Sequence, residues 1–472
     1  MIVDQSKNVF FVGIGGVAMC NLAILLKQMG KEVSGSDVPG FTMTDEILRQ
    51  NDIPFITSFD PGLLLPDADL VIYTGAHQGS QNPQVAEATN RNIVTLQLSQ
   101  ATTELSKLFE NTLAVCGTHG KTTTSSLLAH ALQKLNQHPS FLIGTATFGE
   151  NYGGTYDGNK FFVIEADEYG SNPPIDKTPK FLRYDPQYVI CNNVEFDHPD
   201  IYGSVDEVEN AFQTFFEKKS IKKLFLCADH AKLMQVIERT ELQNYETFGY
   251  SSSADLRIIE SHADEYHSYF SLEYQNKKLG EYQVKLFGEK NISNIAGAIL
   301  LLLNLGFESE HIKSAVKDFT GAKRRFEEVA CINDSFIFDD YAHHPSEITA
   351  TINAAHSRFK NRRLVILFQP HTYSRTEALK NEFIEALSKA DIVFLLPIYA
   401  SREAKQESHI SSFDLEKLAR SKNYLNIKAV DDKSALITLL QKELKKGDVI
   451  FTMGAGDVYQ VKDDIIRLLK DV

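Results

Sequence analysis

The stretch Leu113-Ala114-Val115-Cys116-Gly117-Thr118-His119-Gly120-Lys121-Thr122-Thr123-Thr124 constrains this chain more than any other. Four apolar residues lead into two glycines, a lysine and a run of threonine. Behind them Leu127, Leu128, Ala131, Leu132 and Leu135 recur at helical spacing. The pattern is a strand, a phosphate loop and a helix. Glycines let the backbone aim its N–H groups at phosphate oxygens, and the helix N-terminus adds a favourable dipole. Lys121 reaches the outer phosphates and the Thr122 hydroxyl ligates Mg²⁺, while Gly117, Thr118, His119, Gly120 and Thr123 complete the cradle. Val115 stands where the longer form of the motif has glycine, so the loop is the shorter Gly-x-x-Gly-Lys-Thr form. A strand–helix turn that merely carries a lysine is the alternative, and the continued threonines argue against it. The loop reads as an ATP site.

A second glycine turn comes earlier. Asn8-Val9-Phe10-Phe11-Val12 is a short strand followed by Gly13-Ile14-Gly15-Gly16-Val17-Ala18, and Asp37 closes a further strand from Glu32 to Ser36. The pattern fits a dinucleotide fingerprint, which alone points to NAD. Any nucleotide diphosphate can use the same turn, and a tight turn with no ligand is a third reading. Strand and helix signals continue to alternate through Leu70–Thr74 and Ile93–Thr95, as in a small doubly wound unit.

With 472 residues the chain exceeds what one core supports, and three domains are expected: residues 1–106, 107–320 and 321–472. The fold class is α/β, with two doubly wound Rossmann-like sheets flanking a central P-loop ATPase-type domain. A net charge of −14 argues against nucleic acid and anionic membrane surfaces as partners. Five cysteines, none in C-x-x-C spacing, read as reduced, buried thiols, neither a disulfide frame nor a zinc site. No apolar stretch approaches a membrane span and no leader pattern is present, so a cytoplasmic location is expected.

Polar clusters follow the remaining strands. Phe161–Glu165 ends in Glu165-Ala166-Asp167-Glu168, where a nucleotide-bound Mg²⁺ needs an oxygen ligand. Tyr188–Cys191 leads to Asn192-Asn193-Val194-Glu195-Phe196-Asp197-His198, which reads equally as a metal or phosphate contact and as a hydrogen-bonded loop. Residues 151–185, rich in Gly, Pro, Asn and Asp, are expected to form a loop over the site around one strand. Asn291 and Asn294 fall on one face of a helix start, where capping explains one asparagine better than two. In the third domain Phe336–Asp340 precedes Tyr341-Ala342-His343-His344-Pro345, and Arg363–Phe368 precedes Gln369-Pro370-His371-Thr372-Tyr373-Ser374-Arg375-Thr376. These clusters share the carboxyl ends of strands, where open α/β sheets bind ligands.

Taken together, Gly117–Thr123, Glu165–Glu168, Asn192–His198, Asn291 with Asn294, Arg325 and Asp340–His344 resemble the motifs of the Mur ligases over essentially the whole length. These are ATP-dependent amide-forming enzymes of peptidoglycan precursor and cell-wall synthesis. Gly13–Gly16, Gln369–Thr376 and Thr452-Met-Gly-Ala-Gly-Asp457 are most similar to members that join L-alanine to the lactyl carboxylate of UDP-N-acetylmuramate. The length of Tyr169–Tyr184 and the Pro39–Met43 insertion are similar instead to the murein tripeptide recycling ligase.

The resemblance implies that Gly13, Gly15, Gly16, Asp37 and Thr74 bind the UDP-sugar, not NAD. It implies metal ligation by Thr122 and Glu165, with His198 and Glu165 on a second ion. Adenine falls to Asn291 and Asn294, ribose to Asp340, and Arg325 joins Lys121 at the phosphates. The amino-acid site falls to Tyr341, His343, His371, Tyr373 and Arg375, with His343 or His371 as base. Members adding later residues carry a carbamylated lysine near the second metal, and no lysine lies between His198 and Phe216. The expected cofactors are ATP and Mg²⁺, and the expected state is a monomer or weak homodimer.

Overall fold

A computed structural model describes residues 2–40, 44–173, 175–400, 403 and 410–471, so Phe41–Met43 of the expected insertion lie outside the described residues. Short apolar runs alternating with amphipathic helices fold as three mainly parallel sheets, because each crossover helix covers a sheet face. The first sheet has the order Phe55–Ile56, Glu32–Ser36, Asn8–Val12, Leu70–Tyr73, Val94–Gln97, all parallel. Its order reverses at Asn8–Val12, so the glycine turn Gly13–Gly16 opens at the switch point, where such sheets bind ligands.

The second sheet has ten strands. At its centre Asn111–Cys116 lies between Phe161–Glu165 and Tyr188–Cys191, in parallel register. The phosphate loop, the acidic turn and the Asn192–His198 segment therefore leave the same edge side by side. Five further strands from Lys223–Cys227 to Lys277–Val284 extend one side. On the other side, Ser140–Phe148 and Asn151–Thr155 form an antiparallel hairpin. It packs on the helix Val17–Gln28 of the first sheet, whose buried Asn21 donates from Nδ2 to the carbonyls of Ile143 and Thr145, both at 2.8 Å. A Cβ at Gly154 would run into the Asn21 backbone, so only glycine permits this approach.

The segment 151–185 is more ordered than its composition implies. Beyond Asn151–Thr155 and Phe161–Glu165 it forms a two-stranded hairpin, Gly170–Asn172 with Asp176–Pro179, and a 3₁₀ turn, Lys180–Arg183. Short strands with one pairing partner carry little periodicity, so composition alone reads as loop. Four cysteines are buried as expected, but Cys331 is exposed, on the edge strand Glu327–Ile332.

The third sheet runs Glu327–Ile332, Ser335–Asp340, Val449–Met453, Leu364–Phe368, Ile392–Leu395, Ile427–Ala429, antiparallel only at the first pair. Alternate residues of its strands enter two separate cores. Phe338, Ile366 and Phe451 lie on one face, and Ile337, Leu367 and Ile450 on the other. Contacts group the chain into two units. One comprises Met1–Glu260, Phe270–Val284 and Ser293–Phe319, and the other Ser261–Tyr269, Lys285–Ile292 and Thr320–Val472.

Candidate active site

In the first unit the phosphate loop is preformed. Gly120 caps the helix Lys121–Lys134 at φ +81°, a left-handed conformation that costs glycine little, and a Cβ there would collide with the amides of Asn192 and Asn294. Asn193 clamps the loop from the neighbouring strand. Its Oδ1 accepts from His119 N–H at 2.8 Å and its Nδ2 donates to His119 O at 3.1 Å. Asn192 Nδ2 donates to Thr124 Oγ1 at 3.1 Å. The even choice between ligand contact and loop hydrogen bonding thus gains a definite loop role for both asparagines. Asn294 stands against Gly120.

Lys121 donates to Gly117 O at 2.7 Å and Glu168 Oε2 at 2.8 Å, and stands 3.8 Å from Asp167 Oδ1. Burial opposes its charge, but Glu168 and Asp167 more than compensate and hold its pKa above the lysine range. Burial pushes the Glu168 carboxyl up, against the pull of Lys121. Asp167 is half-buried; desolvation opposes its charge, yet Lys180 and Lys121 hold its carboxyl well below the usual carboxylate range.

The acid set beside His198 is Glu168, whose Oε1 lies 3.7 Å from His198 Nε2. That oxygen is buried and has no hydrogen-bond partner among the described residues. Glu165 instead accepts from Gly144 N–H at 2.7 Å and stands 3.4 Å from Ser125 Oγ. Ligand atoms of Asp167, Glu168 and His198 lie within 4.8 Å of one another. This donor set of two carboxylates and an imidazole, with one orphaned oxygen, fits a divalent cation. All three residues stand in quoted motifs, but the chain turn that brings Glu168 rather than Glu165 to His198 has no sequence signature. His198 itself adopts φ +57°, a conformation that costs a non-glycine residue about 1–2 kcal/mol and is retained where function requires it.

At the first glycine turn Asp37 Oδ2 accepts from Gly15 N–H at 2.6 Å, and Thr44 Oγ1 donates to Gly15 O at 2.5 Å. A carboxylate thus occupies the anion position of the turn. His77, absent from the sequence reading, places Nε2 3.5 Å from Asp37 Oδ1 and also has positive φ. Thr74 stands next to Gly13, and its Oγ1 accepts from Ala76 N–H at 3.3 Å. Gly16 caps the following helix.

The second unit holds the other expected residues. Asn291 donates to Phe287 O at 2.8 Å. Asp340, at the end of its strand, accepts from Ala342 N–H and Thr351 Oγ1, both at 2.9 Å. Burial pushes its carboxyl up to about 6, with Arg325 opposing. Arg325 lies over the Tyr341 ring at 5.1 Å and 3.6 Å from Glu347 Oε1. His343 Nδ1 stands 3.0 Å from Tyr341 O, and its ring is 5.8 Å from that of His371. Tyr373 opens the helix Tyr373–Ala378, with its N–H held by Glu403 at 2.5 Å, and Arg375 on that helix is 6% exposed. The structure therefore gathers His343 with His371 and Asp340 with Arg325.

The Asp340 carboxyl gives a pH prediction. Between its ordinary value of 3.8 and about 6 the unfolded chain loses a proton that the folded chain keeps, so this group's contribution to stability falls as pH rises through that window. Asp340→Asn is expected to stabilise the fold by on the order of 2 kcal/mol at pH 7.5, an advantage that vanishes toward pH 4. Melting curves at both values test it; equal gains at both would refute the buried-charge account.

The sequence matches three family profiles: Mur ligase family, catalytic domain, over residues 8–110; Mur ligase middle domain over 115–302; and Mur ligase, glutamate ligase domain over 324–456. The chain belongs to the Mur ligase family. It is 35% identical to a UDP-N-acetylmuramate–L-alanine ligase of Lactobacillus johnsonii, across 99% of this chain and 100% of the relative. A solved UDP-N-acetylmuramate–alanine ligase from Thermotoga maritima superposes with a TM-score of 0.81 at 25% identity, covering 99% of this chain and 100% of that one. A murein peptide ligase from Psychrobacter arcticus shares the Mur ligase fold, with a TM-score of 0.72 at 24% identity over 99% of each chain. No helix among the described residues is long and apolar enough to cross a membrane.

Proposed function

We propose that this chain is a cytoplasmic ATP-dependent ligase that joins L-alanine to the lactyl carboxylate of UDP-N-acetylmuramate in peptidoglycan precursor synthesis, releasing ADP and phosphate. The observation that carries the reading is full-length likeness to alanine-adding ligases combined with a phosphate loop whose lysine sits on an acid–histidine cluster. The three expected domains divide the work: 1–106 for the UDP-sugar, 107–320 for ATP, 321–472 for the amino acid.

A carboxylate does not condense with an amine in water unless a better leaving group is attached. Transfer of the γ-phosphoryl group of ATP to the lactyl carboxylate gives an acyl phosphate, which the amine of L-alanine attacks with loss of phosphate. Positioning and electrostatics supply most of the catalysis in phosphoryl transfer. Lys121 leaves Glu168 for the phosphates, the N–H groups of Gly117–Thr123 take the oxygens, and Arg325 adds a second cation. Thr122, Glu165 and His198 are the residues that would hold Mg²⁺, which neutralises phosphate charge when bound. Asn291, Asn294 and Asp340 fix the nucleoside; Gly13, Gly15, Gly16, Asp37 and Thr74 fix the UDP-sugar. Tyr341, Tyr373 and Arg375 hold the amino acid, and His343 or His371 accepts the ammonium proton.

The murein tripeptide reading is the alternative, favoured by the hairpin Gly170–Pro179. Phosphate release with ATP, Mg²⁺ and UDP-N-acetylmuramate, run with either acceptor, separates the two. L-alanine is expected to stimulate release and the tripeptide is not; the reverse result overturns the choice of acceptor while leaving the ATP site standing.

A further inference from the structure

Arg324 has no part in the chemistry above, yet it stands next to Arg325 and its guanidinium is held on several sides. Nε donates to Asp339 Oδ2 at 3.2 Å and Nη2 to Gly454 O at 2.7 Å. The same group lies over the rings of Tyr341 and Tyr459, at 4.9 and 4.6 Å from their centroids. Tyr341 carries the Arg325 guanidinium as well, at 5.1 Å, so Tyr459, Arg324, Tyr341 and Arg325 form one continuous row. The anchor of the row is buried. Asp339 is 1% exposed, and its Oδ1 accepts from Thr452 Oγ1 at 2.9 Å. The backbone is held too: Arg324 N–H donates to Glu327 Oε2 at 2.9 Å, and Arg324 O accepts from Tyr341 N–H at 2.7 Å.

Both sequence neighbours of Arg325 adopt left-handed backbone, Arg324 at φ +59° and Phe326 at φ +53°. Such residues persist where their surroundings over-determine them. Phe326 is fixed by its ring, 5.0 Å from Phe338 and 5.1 Å from Phe451 in the core. Arg325 itself is held more lightly, against the Tyr341 ring and 3.6 Å from Glu347 Oε1, with 26% of its side chain exposed. A lysine could neutralise Asp339. A planar guanidinium can in addition reach Gly454 O and stack on two rings at once. We infer that Arg324 is a positioning residue: anchored to Asp339 and Gly454, it fixes the Tyr341 ring and through that ring holds Arg325 ready for phosphate. The inference rests on the proposed phosphate role of Arg325 and is independent of which acceptor the enzyme uses.

Steady-state kinetics and melting curves on full-length Arg324→Lys, Arg325→Met and the double variant test it. Arg324→Lys keeps a cation for Asp339 but loses the stacking. It is expected to lower kcat by about ten- to a hundredfold while the KM for UDP-N-acetylmuramate stays within about twofold. Arg325→Met should lower kcat at least as far. In the double variant the Arg324 change should cost less than about threefold more, because Arg324 acts through Arg325. Unchanged kcat in Arg324→Lys, whatever its melting temperature, marks a merely structural ion pair and overturns the inference. So do losses that multiply in the double variant, which make the two arginines independent. Should Arg324→Lys fail to fold, the same cycle run in an Asp339→Asn background, which leaves no buried charge to pair, decides in its place. Normal turnover in Arg325→Met overturns the phosphate role of Arg325 and this inference with it.

Discussion

Lys121→Ala is expected to abolish turnover in a protein that still folds. The substitution removes a positive charge from the proposed phosphoryl-transfer site, and losing one preorganised electrostatic contact of this kind costs about 2.7–4 kcal/mol in the barrier, roughly a hundred- to a thousandfold in kcat. The structure adds a second effect that the loop motif does not announce. Lys121 is the hydrogen-bonded partner of the buried Glu168, whose carboxyl burial already pushes up. Without Lys121 that carboxyl rises further. The folded chain then holds a proton that the unfolded chain releases at neutral pH, so the variant loses stability as pH rises and recovers it on acidification. A melting curve at pH 6 and pH 8 separates this from the catalytic loss. Lys121→Ala/Glu168→Gln should regain the melting temperature of the wild type without regaining activity. Near-normal turnover in folded Lys121→Ala would remove the ATP site from the reading altogether.

Arg375→Lys is expected to raise the KM for L-alanine by about ten- to a hundredfold while the KM values for ATP and the UDP-sugar stay within about twofold. A guanidinium fork meets a carboxylate through two parallel hydrogen bonds, which a lysine ammonium cannot reproduce. Arg375 lies buried in the first turn of the helix Tyr373–Ala378, close in sequence to His371, whose ring stands near that of His343. The preceding Thr372 has φ +66°, a strained conformation that a merely structural segment rarely keeps. If Arg375 is a structural ion pair instead, the melting temperature falls and the three KM values move little or together. Steady-state kinetics on all three substrates beside a melting curve distinguishes the outcomes.

The phosphate loop was legible from the sequence because its chemistry is local. Strand, glycine, lysine and helix are consecutive, so Gly117 to Thr124 carry both fold and function within eight residues. The same holds for the glycine turn at Gly13–Gly16 and for the alternation that makes the outer sheets parallel. Those features depend on neighbours along the chain, which a sequence states directly. The cluster around His198 depends on neighbours across three strands. Parallel pairing brings the ends of Phe161–Glu165, Asn111–Cys116 and Tyr188–Cys191 together. The path of the chain after Glu165 then decides which acid meets the histidine. From spacing, Glu165 and Glu168 are equivalent; the tertiary structure turns Glu165 toward Gly144 and buries Glu168 between Lys121 and His198. Lys180 illustrates the same limit, since thirteen residues separate it from Asp167 in a segment that composition marks as loop. Sequence fixes what each backbone segment can become, because propensity and periodicity act locally. Which charges share one buried site is settled only by packing, because long-range contacts are chosen by the fold as a whole.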